Sequence, residues 1–538
     1  MRPGPDDGPR PPSPGVRDGL GAVTFALKIA LATALLGGSV AGCGLGERDD
    51  VLILVRAGDP ISLAIGDYYA EARKIPRERI LALELSGSNP QADPDAKPDR
   101  PRGAEPRVGD GWDEIDALRF EREIAAPIEH YLAIADPHDE VSILVTTRGI
   151  PLRIGRCDVA HANYPRDCRA AAVDAALSTL GRVPAAAKPL ANRANPFFRD
   201  SRSFDQFRRD EPDAGLRFLV ARLTGPASPA HGPSGIPSAL HALIDRSRGG
   251  AAAALPLWQV ASEAPRASRT TATAALLDPI SERLTLRGHR VCDGGCQDQL
   301  DAPSGVVLQK ADAGAPSASD GLPARLAFPG VVIGLAGSDE ASGASDDPGN
   351  GAFDRFVAGW IARGAGAIST HLADPSLAGV TRPVAQLEAW AQGRPAVEAH
   401  FKSVPHLGWM NVFVGDPLLA LTEPESVVSG DRDADGVPDS SDNCREEPNP
   451  TQRDSNGDGV GNRCDADVDD DGRVETSWGR IYPLDARGDL EAIALTARNG
   501  PHNPDHDLDG DGRVDQRDLA LAQLWLFRSP GPSATQAD

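Results

Sequence analysis

Aromatic residues make up only 5% of the 538 positions, and there are two methionines. Bulky core-filling side chains are therefore thinly spread, and 56 Gly with 47 Pro point to long coil insertions between core elements. Lysine is nearly absent, 6 against 49 Arg, which reads as codon usage in a GC-rich genome. No basic excess exists: 55 basic and 78 acidic residues leave a formal charge of −23. That argues against nucleic acid as a partner, because neutralising phosphates needs a basic face. The Gly-x-Ser-x-Gly elbow and the His-Glu-x-x-His zinc motif are also missing. What remains is 40% hydrophobic and 25% charged, enough to fold about three or four domains.

Residues 1–43 read as an export signal and are set apart from the fold. Arg2, Arg10, Arg17 and Lys28 precede the apolar stretch from Ile29 to Leu36, and small residues follow up to Val40, Ala41, Gly42 and Cys43. The apolar stretch is too short for ~30 Å of hydrocarbon. Its end resembles a bacterial lipobox, which implies cleavage before Cys43 and a lipid on that cysteine as the membrane anchor. An ordinary signal peptide with an incidental Cys43 is the alternative. Gly44 follows, where an Asp would favour inner-membrane retention, so the expected position is the outer membrane or cell surface. The other six of the seven cysteines fall into local pairs, Cys157 with Cys168, Cys292 with Cys296 and Cys444 with Cys464. In an exported chain an even set reads as disulfides, which suits the short loops closed by Cys157 with Cys168 and Cys444 with Cys464; for Cys292-x3-Cys296, in a Gly-rich turn, a metal is the alternative to a disulfide.

The acids are concentrated at the C-terminal end, where residues 431–538 hold 25 acidic against 11 basic residues. Asp431, Asp433, Asp435 and Asp439 alternate around Gly436. Asp454, Asn456, Asp458 and Asn462 repeat this around Gly459, and Asp467, Asp469 and Asp471 precede Gly472. Calcium takes six to eight hard oxygens at about 2.3–2.6 Å, which short acids at every second position supply while the glycine permits the sharp turn. Without an ion, like charge at this density repels. A fourth loop carries Asp507, Asp509, Asp511, Asp515 and Asp518, and leads into the apolar run Leu519–Phe527. The third loop has Trp478, which cannot ligate, at its twelfth position; Asp489, beyond the insertion from Ser477 to Gly488, is the candidate replacement. Together with Asp442, Asn443, Cys444, Asn449, Gln452 and Cys464-Asp465, residues 431–466 resemble thrombospondin type 3 repeats. Residues 467–528 resemble a dockerin type I or EF-hand-like pair, which implies docking to a cohesin or, in an anchored chain, a calcium-stiffened tail. Residues 529–538 are expected to be a disordered end.

Residues 44–430 carry the grammar of an α/β domain. Val51–Val55 is a strand-like run, Ile61–Lys74 has helical spacing, and Ile80–Leu85 is a second strand; this βαβ unit implies a parallel sheet. A helix near 113–135 precedes Val141–Val145. Val331–Ala336, a helix from Phe353 to Arg363, Ala365–Ser369 and Val412–Val414 continue the pattern. The expected fold is α/β, a mostly parallel sheet with flanking helices and long loop insertions, plus a small calcium-loop C-terminal region. The segments Val51–Ala57, Ser62–Tyr69, Lys74–Pro76, Thr147–Arg153, Ala221–Pro226, Leu243–Ser247 and Gly408–Leu418 resemble, in order and spacing, a numbered bacterial family of uncharacterised proteins over about 49–422. That resemblance carries no established reaction.

The Gly415-Asp416-Pro417 ending also looks like the close of gingipain-type cysteine peptidases with a caspase-like fold. Such a fold implies a His and a Cys after central strands. Here Thr146–Gly149 and Gly337–Glu340 stand in those places, with neither residue. Ser338 with Asp339, and His371 near Asp374, are the remaining catalytic candidates, because ligand sites of parallel sheets lie at the C-terminal strand ends. Their plain reading is a capped loop and a hydrogen-bonded histidine. Asp59, Asp67, Asp245 and Asp416 read as turn and cap residues. The sequence thus supports an exported, lipid-anchored calcium-binding surface protein whose α/β domain binds a protein or glycan partner. A peptidase-like hydrolase and a dockerin-bearing component of a polysaccharide-degrading assembly are the alternatives.

Overall fold

Parallel strands are covered by helices on both faces, so they are expected as continuous apolar runs, and β1 (Val51–Arg56) is buried along its whole length. The computed structural model describes residues 48–86, 114–154 except 116 and 137, 171–182, 193–224, 236–248, 257–261, 277–285 except 279 and 283, 290–293, 305–308, 325–326, 330–337, 352–372, 379–407, 410–420, 430–476 except 432 and 434, and 488–535. Cys43, Cys157, Cys168, Cys296, Ser338, Asp339, Asp374 and Trp478 lie outside these residues.

After β1 the chain turns at Gly58 and enters α1 (Pro60–Arg73). The Asp59 side chain caps this helix by accepting from the Ile61 and Ser62 N–H groups, and Pro60 fits the first turn, where no donor is needed. Gly66 lets α1 lie close on the sheet: a Cβ there would sit 2.5 Å from Val55 Cγ1. Lys74 in the left-handed region ends α1, and β2 (Ile80–Leu83) pairs parallel with β1 in the register Ile53 with Ile80. The expected βαβ unit is present.

The remaining sheet strands are β3 (Ile143–Thr147), β4 (Leu219–Leu223), β5 (Leu257–Ala261), β6 (Arg290–Asp293), β7 (Gly305–Leu308), β8 (Gly330–Gly337), β9 (Ala365–His371) and β10 (Asn411–Gly415). Among the described residues the sheet has ten strands in the order β6-β5-β7-β8-β9-β10-β4-β3-β1-β2. Every pairing is parallel except β9 with β10. The mostly parallel α/β expectation is met. Because β2 and β3 flank β1 on opposite sides, a topological switch point lies between β1 and β3.

Two features differ from the sequence reading. The helix expected near 113–135 is broken into Ala117–Arg119, a π-helical turn Phe120–Ala125, and α2 (Ala126–Ala135). Pro127 explains the widened turn: it lacks an N–H and its ring crowds the carbonyl four residues back. The sheet also extends through β5, β6 and β7, short strands within Ala-, Pro- and Gly-rich sequence where periodicity is weak. Cys292 on β6 is disulfide-bonded.

The segments that carry the family resemblance meet as buried hydrogen-bonded joints. Ser62 Oγ lies 2.7 Å from Thr147 Oγ1 and accepts from the Arg56 N–H, while Thr147 donates to Leu54 O. Arg222 on β4 donates to Ile150 O and Pro151 O and pairs with Asp174 on α3 (Val173–Ser178), both side chains being buried. Asp416 accepts from Tyr69, Arg73 and the Leu418 N–H, tying the chain after β10 to α1. These contacts give the motif residues structural work, as the cap and turn reading of Asp59 and Asp416 expected. No helix among the described residues is long and apolar enough to cross a membrane.

Arg222→Ala leaves Asp174 charged, buried and unpaired, and is expected to destabilise the domain by about 3–5 kcal/mol. The urea unfolding midpoint measures this; a shift equivalent to under about 1 kcal/mol, the scale of exposed pairs, would contradict the role given to Arg222.

Candidate metal centre

Each acidic loop closes on its own first residue. In the loop starting at Asp431 the carboxylate accepts from the Gly436 N–H at 3.1 Å; Asp454 accepts from Gly459 at 3.0 Å, Asp467 from Gly472 at 2.7 Å and Asp507 from Gly512 at 3.1 Å. The four glycines have φ of 95°, 92°, 92° and 85°, a conformation that L side chains rarely adopt. The glycine at the sixth position is therefore needed for its backbone, and the repeat is one conformation used four times.

The twelfth positions complete the pattern, and here the sequence reading was partial. Asp442 and Asp465, which it did not count as ligands, are the twelfth residues of the first two loops, and Asp518 is that of the fourth; all three are buried. In the third loop the place of Trp478 is taken by Asp489 at the start of α8 (Asp489–Asn499). Asp489 accepts from the Val468 N–H at 2.8 Å, and Asp518 accepts from the Leu508 N–H at 2.7 Å. Val468 and Leu508 are both second residues of their loops, so the two acids occupy equivalent places. Counting twelve from each first acid would have found Asp442 and Asp465; nothing local in the sequence could fix Asp489.

Carboxylate oxygens converge in four groups, each within 4.8 Å: Asp431 with Asp433 and Asp435; Asp458 with Asp465 and Asp470; Asp467 with Asp469 and Asp489; Asp507 with Asp509 and Asp511. The second group joins the second loop to the third through Asp470, which the sequence reading also passed over. Other expected ligands have different partners. Asp454 accepts from Gly457 and Gly459, Asp471 from Arg473, and Asp515 caps α9 (Gln516–Trp525). Asn462 accepts from Ser455 and donates to Pro504 O, Asn456 donates to Asp470, and the Asp439 N–H donates to Gly430 O. Arg453 reaches from the second loop to Asp507 at 3.0 Å, and Arg517 holds Asp509 at 3.0 Å.

The donor set fits a hard cation. The groups offer oxygen alone, with no cysteine or histidine, which suits calcium and disfavours zinc. Asp431 Oδ1 and Asp442 Oδ2, the first and twelfth acids of the first loop, are buried without a hydrogen-bond partner. Burial and then neighbouring acids push the Asp465 carboxyl up to about 7 and those of Asp489 and Asp518 up to about 6; Asp442 is raised as well. A divalent ion relieves both causes by replacing water and offsetting like charge. The disulfide Cys444–Cys464 spans the first two loops. Around it, Val460, Ala466, Val474, Ile493, Leu508, Leu521 and Trp525 form a small core of their own.

The candidate histidine of the α/β domain has a different character. His371 is fully buried at the end of β9, with Nδ1 3.1 Å from Gly334 O and Nε2 3.2 Å from Thr381 Oγ1. Burial lowers its pKa to about 4, so it is neutral, with one nitrogen donating and the other accepting. Nearby, Ser369 Oγ lies 3.0 Å from His400 Nδ1 and accepts from Gln386, again fully buried.

With this geometry in hand, two segments, 429–452 and 453–477, match the family model of the thrombospondin type 3 repeat, a calcium-binding module. The match covers the first two loops and the start of the third. No curated protein and no solved structure matches the chain.

Asp465, Asp489 and Asp518 hold a proton in the calcium-free fold up to about pH 6–7. Unfolded, they would release it near 3.8. Their raised values therefore favour the fold at low pH, and that contribution is lost as pH rises through 6 to 7, where calcium takes over by binding the charged form. The calcium-induced rise in melting temperature is expected to be largest at pH 8 and to shrink as pH falls through 7 towards 5. Scanning calorimetry with calcium or chelator measures it; equal rises at pH 5 and pH 8 would contradict the assignment.

Proposed function

We propose that the chain is an exported calcium-binding surface protein, anchored by a lipid on Cys43, whose α/β domain binds a protein or glycan at the cell envelope. The observation that carries the calcium part is the fourfold loop conformation, in which the first acid, the sixth glycine and a buried later acid recur together. Export is supported by the leader-like residues 1–43 and by the Cys444–Cys464 disulfide, since such bonds persist in oxidising compartments. The binding role of the α/β domain is drawn from the sequence, where no His or Cys follows the central strands in the places a dyad would need; among the described residues the Ser369–His400 contact is fully buried.

A docking tag is the second reading. It draws on the resemblance of 467–528 to a dockerin-like pair and is supported by the matching places of Asp489 and Asp518, each accepting from the second N–H of its loop. The hydrolase reading rests on Ser338 and His371. It would require the buried His371 to exchange its partners Gly334 and Thr381 for a substrate.

Incubating residues 44–538 with serine- and cysteine-hydrolase covalent probes, with and without calcium, separates these readings. No adduct by intact mass is expected. His371→Ala is expected to lower stability by about 2–3 kcal/mol, because it leaves buried polar partners unsatisfied. A stoichiometric adduct that maps to Ser338 and disappears in His371→Ala would overturn the binding reading in favour of the hydrolase.

A further inference from the structure

The described residues from Arg48 onward form one compact unit, so the calcium loops lie against the α/β domain. The joint is specific. Arg199, in the loop before β4, donates to Glu447 Oε1 at 2.7 Å and to Glu446 O and Oε2 at 3.4 Å, with its side chain 11% exposed. Arg382, at the start of α6 (Pro383–Ala391; α4 is Ser238–Ser247, α5 is Ala352–Ala362 and α7 is Ala396–Ser403), donates to Leu524 O at 2.8 Å. From the other side, the Arg528 guanidinium lies 4.3 Å from the Phe198 ring centroid, and Phe527 meets the His406 ring edge-on at 6.3 Å.

Two residues of this joint are held in a backbone conformation that costs energy. Arg199 has φ of 54° and Phe527 of 68°, a region that bulky side chains occupy only when their surroundings impose it. Backbone bonds fix both: Arg199 N–H donates to Lys402 O, Phe527 N–H donates to Val474 O, and Val474 N–H donates to Arg528 O. The joint also gathers three guanidiniums. Burial and the neighbouring arginines depress the pKa of Arg382 to about 9 and of Arg528 to about 10, while Glu446 and Glu447 keep Arg199 charged despite its burial. Such a cluster is stable only while its acidic and aromatic partners are held in place.

Every tail residue in the joint lies within an acidic loop or follows one along the chain. Glu446 and Glu447 follow the twelfth acid of the first loop, Asp442, and the bridged Cys444. Val474 lies within the third loop. Leu524, Phe527 and Arg528 end or follow α9, whose first turn holds the twelfth acid of the fourth loop, Asp518. Loops that carry clustered carboxylates without an ion repel and lose their fixed shape. We propose that calcium gates this joint: loaded loops seat 444–447 and 524–528 on the α/β face around Phe198, Arg199, Arg382 and His406, and calcium loss uncovers that basic, aromatic face. The inference rests on the calcium reading above and adds a second state of the α/β domain, in which a surface suited to an acidic or aromatic partner is exposed.

Hydrogen exchange of residues 44–538 in calcium and in chelator tests it, read at peptides from 193–207 and 379–407, which contain no loop acid. Chelation is expected to remove their protection while leaving β1 and β3 protected. Arg199→Glu is expected to lose the same protection in calcium, and the swapped pair Arg199→Glu with Glu447→Arg to regain it. Calorimetric titration on the same samples separates the two claims. Calcium binding with unchanged exchange on chelation overturns the gate and leaves the calcium reading standing; no calcium binding overturns both. Loss of protection without rescue by the swap overturns the ion pair as the joint's lock.

Discussion

Burying several carboxylates side by side is unfavourable, because each loses its water and faces like charge, and the C-terminal region of this chain is organised around that constraint. Hydrogen bonds from glycine and loop N–H groups shape each loop around its first acid. They do not cancel the charge, which is why burial and neighbouring acids push Asp465, Asp489 and Asp518 up together. An oxygen-coordinated divalent ion would resolve the conflict at each loop. The small core beneath the loops, from Cys444 to Trp525, is too limited to impose their shape alone. Metal binding and folding of this region are therefore expected to be coupled.

The α/β domain solves its own problem by other means. Several of its buried polar groups are paired in tight local networks: Arg222 with Asp174, Tyr69 and Arg73 with Asp416, His371 between Gly334 and Thr381. These networks sit at strand ends and helix caps, where a catalytic reading would first look. Their burial and pairing give these groups a structural part in joining strand ends to helices.

Much of this was legible in the sequence, for physical reasons that can be named. Val51–Val55 announced a parallel strand because burial on both faces removes polar alternation, Ile80–Leu85 announced its neighbour as an apolar run, and helical spacing after the turn at Asp59-Pro60 announced α1. The calcium loops were visible because an acid at alternate positions with glycine at the sixth has few other uses. Asp442 and Asp465 were missed as ligands because they stand outside the alternation, beside Asn443 and Cys464. Asp489 was legible as the candidate replacement for Trp478, but its contact with Val468, 21 positions away, is one that spacing alone cannot fix. The short strands β5, β6 and β7 were missed for want of periodicity, and the joint at Arg199 was invisible because it pairs residues about 250 positions apart.

The central claim is that these carboxylate groups are calcium sites. Isothermal titration of residues 44–538 with calcium, after chelation and at pH 7.5, tests it most directly. The four convergent groups predict binding of four ions, and one fewer in Asp489→Asn, which keeps a polar side chain at the start of α8 but removes a charge from the third loop. Absence of binding, or an unchanged count in Asp489→Asn, would contradict the account.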